Sequence, residues 1–461
     1  NAEDGWEYEA VESDVYALDI RSGAVTRLTN RRGPEGEPTL SPDGRHLAYT
    51  GYDDRHQFYQ VADLYVADAN GANARNITAH FDRDVQNPRW VGNGSIYFLY
   101  PDHGITKLGR ISASGGSVTT LLSGIGGIDL GRPYTSGAYS VNAHGRWVAT
   151  TATSTRPANL TIEGGRALTS LNESLLDGRD IPTAEHIVVP SSVDQRPIDA
   201  WIVRPPGFDA SRRYPLLLEI HGGPTSAYGP AFTSEIQMYA AAGYVVVYSN
   251  PRGSTSYGAE FGNAINRDYP DKDYDDLMSV VDATIAREPI DTQRLYVTGG
   301  SGGGVLTAWI VGSNHRFRAA MVQKPVINWT SFVLTSDFTP LYAQYWLGEF
   351  PWEEGANARY WVRSPLSLVG NVTTPTAVMV GENDMRTPSS EAEQYYEALR
   401  LRHIPTELVR IPGAPHDIAS RPSGMIAKVV NTLAWFHQYG GPAVPDGRTG
   451  IAAEEATAAE H

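Results

Sequence analysis

Two hydrophobic patterns divide the chain. Up to about residue 190, apolar and polar positions alternate in short runs separated by turn dipeptides. Asp14-Val15-Tyr16-Ala17-Leu18-Asp19 leads through Ser22-Gly23 into 25–28, and Asp63-Leu64-Tyr65-Val66-Ala67-Asp68 leads through Asn70-Gly71. Runs at 108–112 and 159–162 turn at Gly115-Gly116 and Gly164-Gly165. Period-two alternation ending in such dipeptides predicts β-hairpins, because glycine and asparagine accept the positive φ of tight turns. A second series interleaves with the first. Ser41-Pro42-Asp43-Gly44-Arg45-His46-Leu47-Ala48-Tyr49 recurs loosely at 91–98 and 142–149, with its glycines at 44, 94 and 145, spacings of 50 and 51. Hairpins repeating at roughly forty to fifty residues predict propeller blades, three clear ones and a partial fourth. An irregular antiparallel sandwich is the alternative. Asp82, Arg83 and Asp84 read as a solvated loop between repeats.

From 191 to 443 the pattern becomes near-continuous apolar strands alternating with amphipathic helices. Strands are expected at 198–203, 216–220, 244–248, 295–297, 319–322, 376–380 and 406–410. Helices are expected at 236–242, 273–286, 389–401 and 424–437. Strands apolar on both faces need cover on both sides, which predicts a mostly parallel sheet between helical layers. After Gly440-Gly441-Pro442 the residues 444–461 lose all periodicity and read as a flexible tail.

One turn in the second part carries chemistry. Gly299-Gly300-Ser301-Gly302-Gly303 lies between apolar runs, and G-x-S-x-G between strand and helix is a nucleophile elbow. Glycines let strand and helix approach where a Cβ would clash, and the first amide of the helix is free to meet an oxyanion. A bare glycine-rich turn explains the motif equally well, so its partners decide. In this fold an acid and then a histidine must follow at later strand ends. Gly381-Glu382-Asn383-Asp384 offers two acids, Glu382 and Asp384, and Pro412-Gly413-Ala414-Pro415-His416 offers the base. His315 and His403 read as helix-surface residues. His221-Gly222-Gly223-Pro224, after an early strand, is where a second oxyanion amide is expected, with His221 bracing the loop.

Composition narrows the partners. A formal charge of −15 with no basic block argues against nucleic acid. No apolar run reaches the roughly eighteen residues of a membrane span. The absence of cysteine removes disulfides, thiolate metal sites and cysteine nucleophiles, and leaves cytoplasm and export compartments both open. No metal cluster stands out, and no cofactor is called for.

Propeller hairpins followed by these motifs resemble the prolyl oligopeptidase family of serine peptidases, in its acylaminoacyl-peptidase-like branch. The residues that carry the resemblance are His221-Gly222-Gly223-Pro224, Asn250-Pro251-Arg252-Gly253-Ser254, Gly299 to Gly303, Gln323 to Trp329, Gly381 to Pro388, and His416. The resemblance implies an α/β-hydrolase domain with Ser301 as nucleophile, Asp384 as acid and His416 as base. It also implies oxyanion donors at the amides of Gly302 and Gly223, and Arg386 close to bound peptide. A short peptide is the implied substrate, with release of N-acylated amino acids or short N-terminal units. A dipeptidyl-peptidase, a carboxylesterase and a non-catalytic propeller binding protein are the alternatives. Two departures stand out. Relatives have tyrosine directly after the nucleophile where this chain has Gly302, a change that either widens the pocket or loosens the elbow. Relatives also carry a longer, seven-bladed propeller, which implies an incomplete ring here and a companion N-terminal fragment. Oligomeric state is left open.

Overall fold

The computed structural model describes residues 5, 8–129 and 131–441. The tail expected at 444–461 lies outside the described residues.

The first part is built of antiparallel strands in groups of four, the second and third of which are joined into one eight-stranded sheet where Ile125 pairs with Thr151. One unit comprises Glu35–Leu40, His46–Gly51, Asp63–Asp68 and Arg75–Asn76. The next comprises Gln86–Val91, Ser95–Asp102, Ile105–Ser112 and Thr119–Ile125. The third comprises Tyr139–Val141, Trp147–Thr153, Arg156–Ile162 and Arg166–Ala167. A hairpin of Tyr16–Leu18 and Val25–Arg27 precedes them. Strand alternation explains how the units stack. Ile96 and Phe98 point into a core shared with Ala48, Leu64 and Val66 of the unit before, whereas Tyr97 and Leu99 point into one shared with Trp147 and Ala149 of the unit after. Equivalent positions also meet along the stack. Asn87 N donates to Glu37 Oε2 across 50 residues, Trp90 Nε1 to Thr39 O across 51, and Tyr139 Oη to Asn87 O across 52. The sequence period is therefore a stacking period.

The second part holds one eight-stranded sheet: β1 (Ala184–Pro190), β2 (Pro197–Val203), β3 (Tyr214–Ile220), β4 (Val245–Ser249), β5 (Ile290–Gly300), β6 (Ala319–Gln323), β7 (Thr376–Gly381) and β8 (Leu408–Ile411). Their spatial order is β1-β2-β4-β3-β5-β6-β7-β8. The pairs from β4 to β8 are parallel, and β1 and β2 add antiparallel strands at one edge. Every residue of β3, β4, β6 and β7 is buried, as strands covered on both faces require. Leu216, Leu218, Val245, Val247 and Val297 face one core; Leu217, Val246, Tyr248, Tyr296 and Met321 face the other. Five main helices cover the sheet: α1 (Ser234–Ala241), α2 (Lys272–Arg287), α3 (Gly302–Ser313), α4 (Ser389–Leu401) and α5 (Pro422–Gly440). Asn250-Pro251-Arg252-Gly253 is structural. Arg252 Nε and Nη2 grip Asp276 of α2 at 2.8 and 2.7 Å, tying the end of β4 to that helix. β1, assigned from sequence to the hairpin part, pairs with β2 along seven registered positions and belongs to this sheet.

The two parts are joined by specific contacts. Asp82 Oδ1 accepts from Ala259 N at 2.8 Å and Asn263 Oδ1 from Tyr59 N at 3.1 Å, while within the first part Asp84 accepts from Tyr59 Oη and Ala62 N. The acidic turn at 82–84 is thus bonded rather than a free solvated loop. The segment 131–136 lies against 226–229, with Thr135 N donating to Ala227 O and Gly229 N to Pro133 O.

Candidate active site

β5 ends at Gly300 and α3 begins at Gly302, leaving Ser301 alone in the turn with φ 59° and ψ −121°. A positive φ at a non-glycine residue costs about 1–3 kcal/mol and persists where surroundings impose it. Here packing imposes it. A Cβ on Gly303 would sit 2.1 Å from Ile220 O, and one on Gly299 2.6 Å from Gly303 O. Only glycine on both sides lets β5, β3 and α3 converge so closely.

Asp384 follows β7 and His416 follows β8, so adjacent strands deliver both to one edge. His416 Nδ1 donates to Asp384 Oδ2 at 2.8 Å. The other carboxylate valences are filled by donors as well: Arg386 N and Thr387 N on Oδ1, at 3.0 and 2.9 Å, and Thr387 Oγ1 on Oδ2 at 3.0 Å. Glu382, the rival acid, accepts from Gly413 N and stays clear of the histidine. His315 bonds Thr373 at the far end of the sheet, and His403 follows α4. Burial would raise the Asp384 pKa, but the bonds from His416 and Thr387 outweigh it, and the carboxyl is held below its usual range. Burial lowers the His416 pKa beneath the usual 6.5, against the opposing pull of Asp384. The imidazole is therefore a neutral base throughout the physiological range. Neutral imidazole is the active form above its pKa, so the acid limb of a kcat/KM profile is expected below 6.5. A limb above that value, measured with a non-ionising substrate, would contradict this electrostatic picture.

The loop after β3 approaches the elbow from the other side. His221 is buried, which pushes its pKa down to about 4 and keeps the ring neutral. Its Nδ1 lies 2.7 Å from Gly222 O, which can only accept, so Nδ1 carries the proton, and Nε2 lies 2.9 Å from Ser254 Oγ, which itself donates to Pro251 O at 2.6 Å. A trans peptide points its N–H away from its C=O. Fixing Gly222 O with His221 thus turns the Gly223 amide in the opposite direction. The preceding peptide is held by Tyr134, whose hydroxyl accepts from Gly222 N at 2.8 Å. A Cβ on Gly302 would lie 2.9 Å from Gly223 C, so the two glycines expected to supply oxyanion amides are backbone neighbours.

Ser301, His416, Gly223 and Arg386 line one cleft of about 440 Å³. Arg386 Nε donates to Asp337 Oδ1 at 2.6 Å, with its guanidinium 5.8 Å from the Phe338 ring centre. It stands at the cleft as half of an exposed ion pair. Beside Ser301, a side pocket is lined by Tyr269, Trp329, Phe332, Tyr342 and Trp346. These rings supply an aromatic wall that Gly302 does not, and Tyr269 Oη donates to Gly302 O at 2.8 Å. The elbow is braced rather than loosened. The Ser301 hydroxyl and His416 are not hydrogen-bonded in this structure; such contacts commonly tighten only when substrate binds.

Three contributors were given no role from the sequence. Thr387 seats the acid. Lys324 Nζ donates to His416 O at 2.7 Å. Arg132, from the hairpin part, reaches Gln323 Oε1 at 3.0 Å and pairs with Glu219 and Glu235 beneath the cleft. Only Thr387, three residues after Asp384, had a positional signal. Among the described residues no cluster of side chains could hold a metal, and no helix is long and apolar enough to cross a membrane.

The prolyl oligopeptidase family model matches residues 230–442. An uncharacterized peptidase of Bacillus subtilis, YuxL, is 41% identical over 277 residues, covering 59% of this chain and 42% of that protein. Dipeptidyl-peptidase 5 of Porphyromonas gingivalis is 25% identical over 421 residues, 88% of this chain and 60% of its own length. The chain thus spans about half of these curated relatives. Among solved structures, acylaminoacyl peptidase of Pyrococcus horikoshii superposes with a TM-score of 0.81 at 22% identity, over 96% of this chain and 68% of the other. At that identity the superposition establishes a shared fold.

Proposed function

We propose that the chain is a serine peptidase of the prolyl oligopeptidase family, whose model matches residues 230–442, and that it cleaves short peptides through an acyl-enzyme. Ser301 attacks the scissile carbonyl while His416 Nε2 takes its proton. Asp384 holds the Nδ1–H tautomer and stabilises the imidazolium. The amides of Gly302 and Gly223 receive the oxyanion, with His221 and Tyr134 fixing the second of them. His416 then protonates the leaving amine, and water deacylates Ser301 by the same route. The observation that carries this reading is the 2.8 Å His416–Asp384 bond in the same cleft as a serine at positive φ. The aromatic walls beside Ser301 support a small apolar residue at the acyl position, the side pocket between them holding only about 20 Å³, and Arg386 supports contact with a substrate carbonyl or carboxylate.

The stacked four-stranded units fit propeller blades, because stacking with equivalent strands side by side is what a ring about an axis requires. On that view the blades end before residue 184 and the hydrolase domain runs from 184 to 441. The blades would screen the cleft and restrict entry to short peptides, releasing N-acylated amino acids or short N-terminal units. The test compares acyl-alanyl and acyl-phenylalanyl anilides, free-amine dipeptidyl anilides and a short-chain nitrophenyl ester. Anilide turnover is expected. Hydrolysis of the ester with every anilide untouched would leave an esterase, and the peptidase reading would fall.

A further inference from the structure

Lys324 directly follows β6, and its main chain and side chain reach both halves of the proton-transfer pair. Its φ is 39°, within the region that disfavours every residue but glycine. Such a conformation survives where surrounding bonds impose it, and it clusters at functional sites. The bonds are present. Lys324 N donates to Met379 O at 2.6 Å, and Lys324 O lies 3.1 Å from Thr387 Oγ1. That same hydroxyl lies 3.0 Å from Asp384 Oδ2. The ammonium crosses to the loop after β8 and donates to His416 O at 2.7 Å. On the way it passes the residue before Ser301: a Cβ on Gly300 would lie 3.0 Å from Lys324 Cε.

The charges around this ammonium are unbalanced. Arg132 and Lys428 face it with the same sign, and Asp417, Asp384 and the titratable His416 complete its surroundings. Glu219 and Glu235 lie beyond, engaged with Arg132 and Lys428. Burial, with the two neighbouring cations, brings the Lys324 pKa down to about 7. Reciprocally, after burial and against Asp384, the Lys324 charge is among the influences that hold His416 down.

We propose that Lys324 is a positioning residue for the His416–Asp384 pair: its ammonium tethers the His416 main chain and sets a positive charge beside the imidazole. The proposal rests on Ser301 as nucleophile and His416 as base. Its two parts separate experimentally. The tether needs a donor at the end of the side chain; the electrostatic part needs a positive charge. Below about pH 7 the lysine is charged and opposes protonation of His416. Removing that charge must therefore move the acid limb upward.

The experiment is the pH dependence of the rate at which a fluorophosphonate labels Ser301 in the full chain, with rates normalised to labelled end point so that only folded sites count. K324M is expected to slow labelling at neutral pH by about tenfold to a hundredfold, as loss of alignment does. It is also expected to raise the acid limb. K324R keeps the charge and is expected to keep the wild-type limb. K324Q keeps a donor without charge, and is expected to recover rate while leaving the limb raised. K324M with wild-type rate and limb would overturn the proposal. So would K324M and K324R slowed equally with neither limb moved, since packing alone explains that result. Absence of label on wild-type Ser301 would instead sink the proposed function, which keeps the two failures distinct.

Discussion

Ser301→Ala is expected to lower peptide hydrolysis by about a millionfold, the scale seen when a triad nucleophile is removed. It is also expected to abolish fluorophosphonate labelling while leaving the thermal midpoint in place. The structure explains why these readouts part company. Alanine at φ 59° meets the same backbone strain as serine, because both carry a Cβ. The packing that imposes the turn belongs to Gly299 and Gly303, which the substitution leaves alone. The hydroxyl makes no hydrogen bond among the described residues, so no partner is left unsatisfied. What disappears is the nucleophile. A variant that still takes up label at neutral pH would remove Ser301 from that role.

Asp384→Asn is expected to be the next most severe change, lowering kcat/KM by about ten-thousandfold. Asp384 receives only donors: two main-chain amides on Oδ1, and Thr387 Oγ1 with His416 Nδ1 on Oδ2. A carboxylate satisfies all four. An asparagine must place its NH₂ against one pair. Turned toward the amides, it sets donor against donor within a buried site. Turned toward His416, it favours the tautomer with the proton on Nε2, which cannot take a proton from serine. Either orientation disables the base without moving it far. The check is steady-state kinetics together with imidazole proton NMR, which reports the tautomer directly. Activity within tenfold of wild type would mean that Asp384 does not orient the base.

How much of this could be read from residues alone differs between the two parts of the chain. In the hydrolase part, apolar runs such as Leu216 to Ile220 and Thr376 to Val380 are unambiguous. A strand buried on both faces leaves no polar position to confuse its period. Most strand ends were off by a residue or two, the strand expected at 295–297 runs over Ile290–Gly300, and the helical pieces at Trp329–Thr335 and Ala356–Arg363 carried no expectation. β1 was missed because Glu185, His186 and Val188 sit at an edge where one face meets solvent, and its pattern matches the hairpins before it. In the hairpin part, the period of 50 was legible because each unit repeats the same turn chemistry. The stacking of units was not, since it depends on which face of Ser95–Asp102 meets which neighbour.

The candidate site divides along the same line. By itself the sequence determined the three side chains that could perform acyl transfer, their order along the chain and the glycines that a tight elbow demands. These follow from local rules: residue type, turn geometry and position at a strand end. Residue chemistry left Asp384 and Glu382 both open and the family resemblance favoured Asp384; the structure sets Asp384, not Glu382, 2.8 Å from His416. It alone brought Tyr134 to Gly222 and Arg132 beneath the cleft from residues about ninety or more positions away. It alone gave Lys324, part of a motif with no role assigned to it, a place beside the base and beside Thr387, which bonds the acid. Local chemistry can name a reacting group. Contacts between distant segments fix its tautomer, its pKa and the direction in which it points, because those depend on the field and packing of the folded whole.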